Sequence, residues 1–350
     1  MGISLHRRIL AFSKLGAYFR NFKEASDVNS THELNDLISS LVNFNPWFTR
    51  SNVTIALESL GLMLDESKLI TWIKPYEQKI AQQEDIKRVG VVMAGNIPLV
   101  GFHDFITVLM SGHKVICKLS SDDDRLLPAI IRILVKIEPD FKNYIEISDQ
   151  KLQNFDAVIA TGSNNTSRYF EYYFGKYPHI IRKNRNGIAI LQGNETDREI
   201  ELMGEDIFNY FGMGCRSLAK VFVPREYDFE KLFKNIEKFS YVRDHSKYMN
   251  NYDYYKSIFL INGLKHFDNW FLLVKEDVAY ASPPSVLYFE SYTDLESVRN
   301  RFGYDADQIQ CVVGTTGKIP GEIPFGKSQQ PELWDYADNV DTMQFLATLN

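Results

Sequence analysis

Cysteine is scarce: Cys117, Cys215 and Cys311 are the only three in 350 residues. An odd, widely spaced set does not staple a disulfide framework and reads as reduced thiols in a cytoplasmic protein. Metal-ligand spacings such as C-x-x-C and H-E-x-x-H do not occur, so no metal is expected. Long apolar runs are missing as well. The most apolar stretch, residues 89–110, contains Asn96, Pro98, His103 and Asp104, and lipid would leave such polar groups without partners. The start of the chain carries His6-Arg7-Arg8 with no apolar signal core behind it. His6 stands where a myristoylation signal needs Ser or Thr. Basic residues are outnumbered, 39 Lys and Arg against 45 Asp and Glu, for a net charge of −6. A nucleic-acid or anionic-membrane surface as the main partner is therefore not expected. A G-x-G-x-x-G fingerprint after the first strand is also absent.

What is present is a globular composition, 45% hydrophobic and 13% aromatic, long enough for roughly two to three domains. Residues 1–85 read as a helical opening. Ser30 or Thr31 is placed to cap a helix carrying Leu34, Leu37 and Ile38, and further helices are expected over 52–62 and 67–82. At Lys87 the period changes. Short apolar runs at 89–93, 115–119, 144–147 and 157–160 read as buried strands, with helices over 99–110 and 126–137 between them. Ser111-Gly112-His113 supplies a glycine helix stop. A second series follows: strand 187–191, helix 199–211, strand 221–224 and helix 228–239. Strand and helix alternating at this spacing predict βαβ units and parallel sheets. The expected division is a helical segment 1–85, a Rossmann-like domain 86–181, a second α/β domain 182–323 and a tail 324–350.

Four segments carry chemistry. Met93-Ala94-Gly95-Asn96-Ile97-Pro98-Leu99 is a strand-turn-helix junction in which Asn96 either caps a helix starting at Pro98 or offers its carboxamide as a donor. Val115-Ile116-Cys117-Lys118-Leu119-Ser120-Ser121 is a strand ending in polar residues. Ala160-Thr161-Gly162-Ser163 is a glycine turn at a strand end, where the following helix start can hold an anion. Phe211-Gly212-Met213-Gly214-Cys215-Arg216-Ser217 sets a cysteine among small residues, open to an approaching carbonyl. Cys117 and Cys311 lie inside apolar strands and are expected to be buried.

Taken in this order, the four segments resemble the aldehyde dehydrogenase superfamily, and most closely its LuxC-like acyl-CoA reductases. The resemblance implies two three-layer α/β domains with parallel-rich sheets and a helical N-terminal segment. It implies that Cys215 is the acyl-carrying nucleophile and that Asn96 joins the Cys215 N–H in an oxyanion hole. It implies a nicotinamide cofactor held by Lys118, Ser121, Gly162 and Ser163. Ser121 stands where many members carry a Glu for the ribose 2′-hydroxyl, which favours NADPH, with NADH as the alternative. Ile323-Pro324-Phe325-Gly326-Lys327-Ser328 is similar to the family's C-terminal glycine loop. The carboxylate that aldehyde-oxidising members use to activate water is missing from residues 181–190. Its loss favours reduction of an acyl-CoA thioester to an aldehyde. A CoA-independent aldehyde dehydrogenase, an acyl-phosphate reductase and a non-catalytic scaffold remain as alternatives. The resemblance also implies a homo-oligomer. Arg216, the cofactor or a helix terminus could lower the Cys215 thiol pKa, and residues 243–255 could form a lid or acyl-site wall.

Overall fold

The computed structural model describes residues 2–22 and 29–349, and no side chains for residues 29–32. The cap expected at Ser30 or Thr31 therefore lies outside the described side chains. The chain forms two compact units, Met1–Asn184 with Gln330–Asn350, and Arg185–Gln329.

The first unit opens with helices α1 (Leu5–Arg20), α2 (Asn29–Leu41), α3 (Arg50–Met63), α4 (Glu66–Ile73) and α5 (Glu77–Ala81). Ser4, Thr49 and Asp65 cap α1, α3 and α4, each side chain accepting a first-turn N–H. The single helix predicted over 67–82 is broken by a 3-10 turn at Lys74–Tyr76. Pro75 lacks the N–H that an α-helix would use there. A sheet follows, built from β1 (Arg88–Val92), β2 (Lys114–Lys118), β3 (Ile145–Ile147), β4 (Ala157–Thr161) and β5 (His179–Arg182). The connecting helices are α6 (Phe102–Ser111), α7 (Leu126–Ile137) and α8 (Asn164–Phe174). All pairings are parallel, in the order β3-β2-β1-β4-β5. Val89, Val91, Cys117 and Ile159 on one face and Ile116, Val158 and Ala160 on the other are buried in this sheet, as expected when both faces are covered. Gly112 ends α6 at φ 95°, the left-handed stop that the sequence announces.

In the second unit the strands are β6 (Asn186–Ile190), β7 (Leu218–Pro224), β8 (Phe267–Asp268), β9 (Leu273–Glu276), β10 (Val286–Tyr292) and β11 (Ile309–Val313). Helices α9 (Asp197–Phe208), α10 (Phe229–Ile236), α11 (Ser246–Ile261) and α12 (Leu295–Tyr304) connect them. The order is β11-β6-β7-β10-β9-β8, parallel except for the two-residue β8. Thr196 and Glu199 form a reciprocal capping box at the start of α9. The predicted helix 199–211 stops at Phe208, because Tyr210 and Phe211 turn left-handed. Lys220 is fully buried in β7 and donates to Glu290 Oε2 at 2.7 Å and to the Val278 carbonyl at 2.9 Å. Such pairing is what a buried ammonium requires.

Residues 330–350 belong to the first unit and end in α13 (Thr342–Ala347). The Arg182 guanidinium, buried at the end of β5, pairs with buried Asp104 of α6 and donates to Thr342 Oγ1 at 2.8 Å. Trp72 Nε1 donates to the Tyr336 hydroxyl at 2.7 Å, and Tyr76 donates to Asp341 at 2.7 Å. Among the described residues no helix is long and apolar enough to cross a membrane, and none form a metal-binding group of three or more His, Cys, Asp or Glu.

Removing one partner of the Asp104–Arg182 pair strands a buried charge. Asp104→Ala should lower the unfolding free energy by about 3–5 kcal/mol, measured by urea titration.

Candidate active site

Parallel strands put all their carboxyl ends on one edge. In the first unit the chain adds strands to one side of β1 and then crosses to the other, so the order reverses between β1 and β4. The crevice outside such a reversal is where open α/β sheets take ligands. Register aligns Val92 of β1 with Lys118 of β2 and Ala160 of β4. Asn96, Lys118, Ser121, Gly162 and Ser163 thus all follow or end strands along this one edge. The turn after β1 runs close against the one after β2: a Cβ on Gly95 would lie 2.6 Å from Ser120 Oγ.

Leu99 has φ 61°, and its N–H donates to Asp123 Oδ2 at 2.9 Å. That left-handed residue delays the helix predicted from 99, so α6 starts at Phe102 with Gly101 at its cap position. Asn96, exposed in the turn, is therefore not the cap of a helix beginning at Pro98. Burial pushes the Asp123 carboxyl up to about 6. Lys118 Nζ donates to the Asp149 carbonyl at 2.9 Å. Ser121 is exposed, with the equally exposed Asp122 beside it. Ser163 caps α8 by accepting the Thr166 N–H at 3.2 Å. A Cβ on Gly162 would lie 2.9 Å from the Phe170 ring, so only glycine lets this turn close onto its helix.

Cys215 belongs to the second unit. It sits between α9 and β7, at the amino edge of that sheet, and is exposed, whereas Cys117 and Cys311 are buried. Burial drives the Cys117 thiol well above its usual range. Ahead of Cys215, Tyr210, Phe211 and Gly212 take φ of 54°, 55° and 76°. Two consecutive left-handed aromatics are costly and need support from their surroundings. The Phe211 ring packs 4.2 Å from that of His245, and next to buried Tyr248 of α11. The polar segment 243–255 is thus partly a wall behind this turn. Beneath the turn, a Cβ on Gly187 would lie 2.6 Å from the Arg216 carbonyl and 2.8 Å from that of Ser217.

The segment 324–329 braces the turn from the other side. Arg216 Nε donates to the Ser328 carbonyl at 2.5 Å. Ser217 Oγ accepts from Gln329 Nε2 at 3.1 Å and from the Gly214 N–H at 3.2 Å. The same segment is held by Asp206 of α9, whose carboxylate accepts the N–H groups of Gly326 at 2.7 Å and Ser328 at 2.9 Å. Burial pushes this carboxyl up to about 6. Glu195, the buried carboxylate following β6, accepts the Gln192 and Gly193 N–H groups at the carboxyl edge of the sheet, opposite Cys215.

Asp123 and Asp206 were not among the residues singled out from the sequence. Asp206 was detectable: it lies three residues after Met203 and beside Ile207 on the buried stripe of α9, where an unpaired carboxylate is not tolerated. Asp123 sits in the run Asp122-Asp123-Asp124, and nothing in that run marks the member that turns inward.

Solved structures share this fold. Aldehyde dehydrogenase 21 from Physcomitrella patens, in complex with the reaction product succinate, superposes with a TM-score of 0.59 at 14% identity, over 85% of this chain and 71% of that one. The Mycobacterium tuberculosis aldehyde dehydrogenase complexed with NAD+ gives 0.59 at 13% identity, over 85% and 70%. A putative methylmalonate-semialdehyde dehydrogenase from Sinorhizobium meliloti complexed with NAD gives 0.58 at 11% identity, over 85% and 70%. No curated protein matches the sequence. The architecture is thus that of the aldehyde dehydrogenases, with parallel-rich sheets and a helical opening. The chain belongs to the acyl-CoA reductase (LuxC) family, whose sequence model matches residues 29–232. It is an aldehyde-related oxidoreductase.

Two outcomes follow from this geometry. The Gly187→Ala methyl would press on backbone that cannot swing aside; the variant should melt lower than wild type in a calorimetric scan, by an amount typical of core overpacking, about 1–3 kcal/mol. The Asp123 carboxyl keeps its proton up to about pH 6 in the folded chain but only to the ordinary carboxylate range, about 4, when unfolded. Its contribution to stability is present below that range and is lost as pH rises to about 6. In denaturant titrations, the stability difference between wild type and Asp123→Asn should therefore change between pH 4 and 6 and level off above.

Proposed function

We propose that this protein reduces an acyl-CoA thioester to an aldehyde through an acyl group carried on Cys215. The observation that carries the reading is the exposed Cys215 turn, braced by residues 324–329 within a chain of the acyl-CoA reductase family. The Cys215 thiolate attacks the thioester carbonyl. The new C–S bond forms as the bond to CoA breaks, and the CoA thiolate leaves. The Cys215 N–H would donate to the oxyanion in this step, and the family resemblance implies Asn96 as a second donor; each such donor contributes about 2.7–4 kcal/mol in comparable acyl transfers. Segment 181–190 carries no carboxylate, and Glu195 is committed to its own loop at the far edge of the sheet. Without a carboxylate in segment 181–190 to activate water, the thioester on Cys215 would persist long enough for hydride to reach it.

A nicotinamide cofactor fits the carboxyl edge of the first sheet, at the strand reversal between β1 and β4 and the start of the eleven-residue α8. Lys118, Ser121, Gly162 and Ser163 would hold it. Bound there, it would supply hydride for reduction of the acyl carbonyl. The tetrahedral alkoxide left on Cys215 would then re-form its carbonyl as the C–S bond breaks, releasing the aldehyde and restoring the thiolate. Ser121, in place of a carboxylate, supports NADPH. The exposed Asp122 beside it favours NADH, because its charge opposes a 2′-phosphate. A homo-oligomer in the cytoplasm completes the reading.

The test is a panel of acyl-CoA chain lengths, scored by NADPH and NADH consumption and by intact mass. Wild type should gain one acyl mass and Cys215→Ala none; no adduct on either form would leave a scaffold as the reading. Asn96→Ala should keep the adduct but lose about 10²–10³ in kcat. Turnover of acyl phosphates without CoA esters, or steady aldehyde oxidation without CoA, would move the assignment to those activities.

A further inference from the structure

We propose that Asp206 is a positioning residue for Cys215, acting through the segment 326–328. This rests on the reading of Cys215 as the nucleophile. Asp206 is 1% exposed, on the last full turn of α9, and it accepts two backbone N–H groups from one short segment, those of Gly326 and Ser328. The Ser328 carbonyl in turn accepts from Arg216, the residue after Cys215. The next residue, Gln329, donates to Ser217. The path from Asp206 to the nucleophile is thus a closed ring: α9 leads into the Cys215 turn along the chain, and the carboxylate reaches the same turn through residues 326–329. Both peptide groups it holds flank Lys327, so the segment is fixed at two points, and rotation about either bond alone is blocked. Gly326 takes φ 79°, a conformation open to glycine that brings its N–H toward α9.

The ring adds to the packing of the buried Tyr210 and Phe211 in retaining the left-handed turn that leads to the exposed Cys215. Free of the ring, the turn would relax toward ordinary backbone angles and carry the Cys215 sulfur with it. A displacement of about 1 Å at a nucleophile costs on the order of 10²-fold in rate. Asp206 touches neither the sulfur nor any reacting atom, so its loss should slow attack and leave weak binding of a small ester almost unchanged.

The probe is p-nitrophenyl acetate, an activated ester that needs neither CoA nor cofactor. The Cys215 thiolate attacks its carbonyl, the acyl–oxygen bond breaks, and p-nitrophenolate leaves with the electron pair. The burst of p-nitrophenolate, with the Cys215→Ala signal subtracted, gives the acylation rate constant and the half-saturating ester concentration. Asp206→Asn keeps one acceptor oxygen and turns an NH2 toward the second N–H. It should lower the rate constant at least tenfold with half-saturation within threefold, and Asp206→Ala should lower it further. Arg216→Gln releases the same segment at its other end. The double variant should be no slower than the slower single one, because groups sharing one partner are not additive. The proposal is overturned if folded Asp206→Asn, checked by its thermal transition, acylates within twofold of wild type, or if the two single effects multiply. If Asp206→Asn does not fold, an Arg216→Gln rate within twofold of wild type overturns it equally. A wild type without any Cys215-dependent burst fails before a substitution is made, and that result removes the nucleophile reading itself. A normal burst without acyl-CoA turnover removes only the choice of substrate.

Discussion

A carboxylate drawn out of water to accept backbone N–H groups from a loop recurs at three irregular turns of this chain. Peptide groups in such turns have no neighbouring strand, and inside the protein they cannot be left without partners. Asp123 accepts the Leu99 N–H beside the Asn96 turn. Asp206 accepts those of Gly326 and Ser328 beside the Cys215 turn. Glu195 accepts two more after β6. The arrangement stiffens the loops but takes carboxylates out of water, and for Asp123 and Asp206 the desolvation outweighs the hydrogen bonds, pushing both up to about 6. Near neutral pH both remain ionised, and an ionised oxygen is the stronger acceptor.

The regular elements were legible because their burial is regular. The helix predicted over 126–137 is α7 to the residue, and strands at 89–93 and 115–119 are β1 and β2 shifted by one. Gly112 announced the end of α6 for the right reason, its positive φ. The errors fall at the turns that carry chemistry. Helix 99–110 began three residues late, because Leu99 is held left-handed by a side chain distant in sequence. Helix 199–211 ended early at aromatics whose local preference gives no warning. β5 was not read because only Ile180 and Arg182 of its four residues face inward. Propensity describes what a segment prefers alone, and these segments are set by partners more than twenty residues away.

Within the candidate site, residue identity was readable while commitment was not. Cys215 stood apart from Cys117 and Cys311 by its glycine neighbours, and exposure separates the same three. Asn96 lies in its turn and does not cap α6, whose cap position is Gly101. Ser163, by contrast, serves α8 as a cap; a ligand there would meet the helix start through backbone groups more than through this hydroxyl. The Arg216 Nε serves the Ser328 carbonyl, a contact that its position next to Cys215 in the sequence does not announce. A spacing pattern can nominate a residue for a task, but only geometry shows which of its donors are already engaged.

Parallel topology then decides where water-activating groups can stand. β6 and β7 run in the same direction, so a residue that precedes β7 and one that follows β6 are separated by the full length of the strands. Cys215 is the first kind and Glu195 the second. Segments outside that strand pattern also reach the turn: α9 brings Asp206 to residues 326–328, and His245, beside Asp244, packs on Phe211. The residues of this unit that enter β6, Arg185 and Asn186, offer no carboxylate. The returning loop offers Lys327 and Gln329, and neither removes a proton from water at neutral pH as a carboxylate would. Strand direction thus separates Glu195 from the sulfur, while Asp206, committed to Gly326 and Ser328, is the carboxylate that reaches the Cys215 turn through its bracing loop.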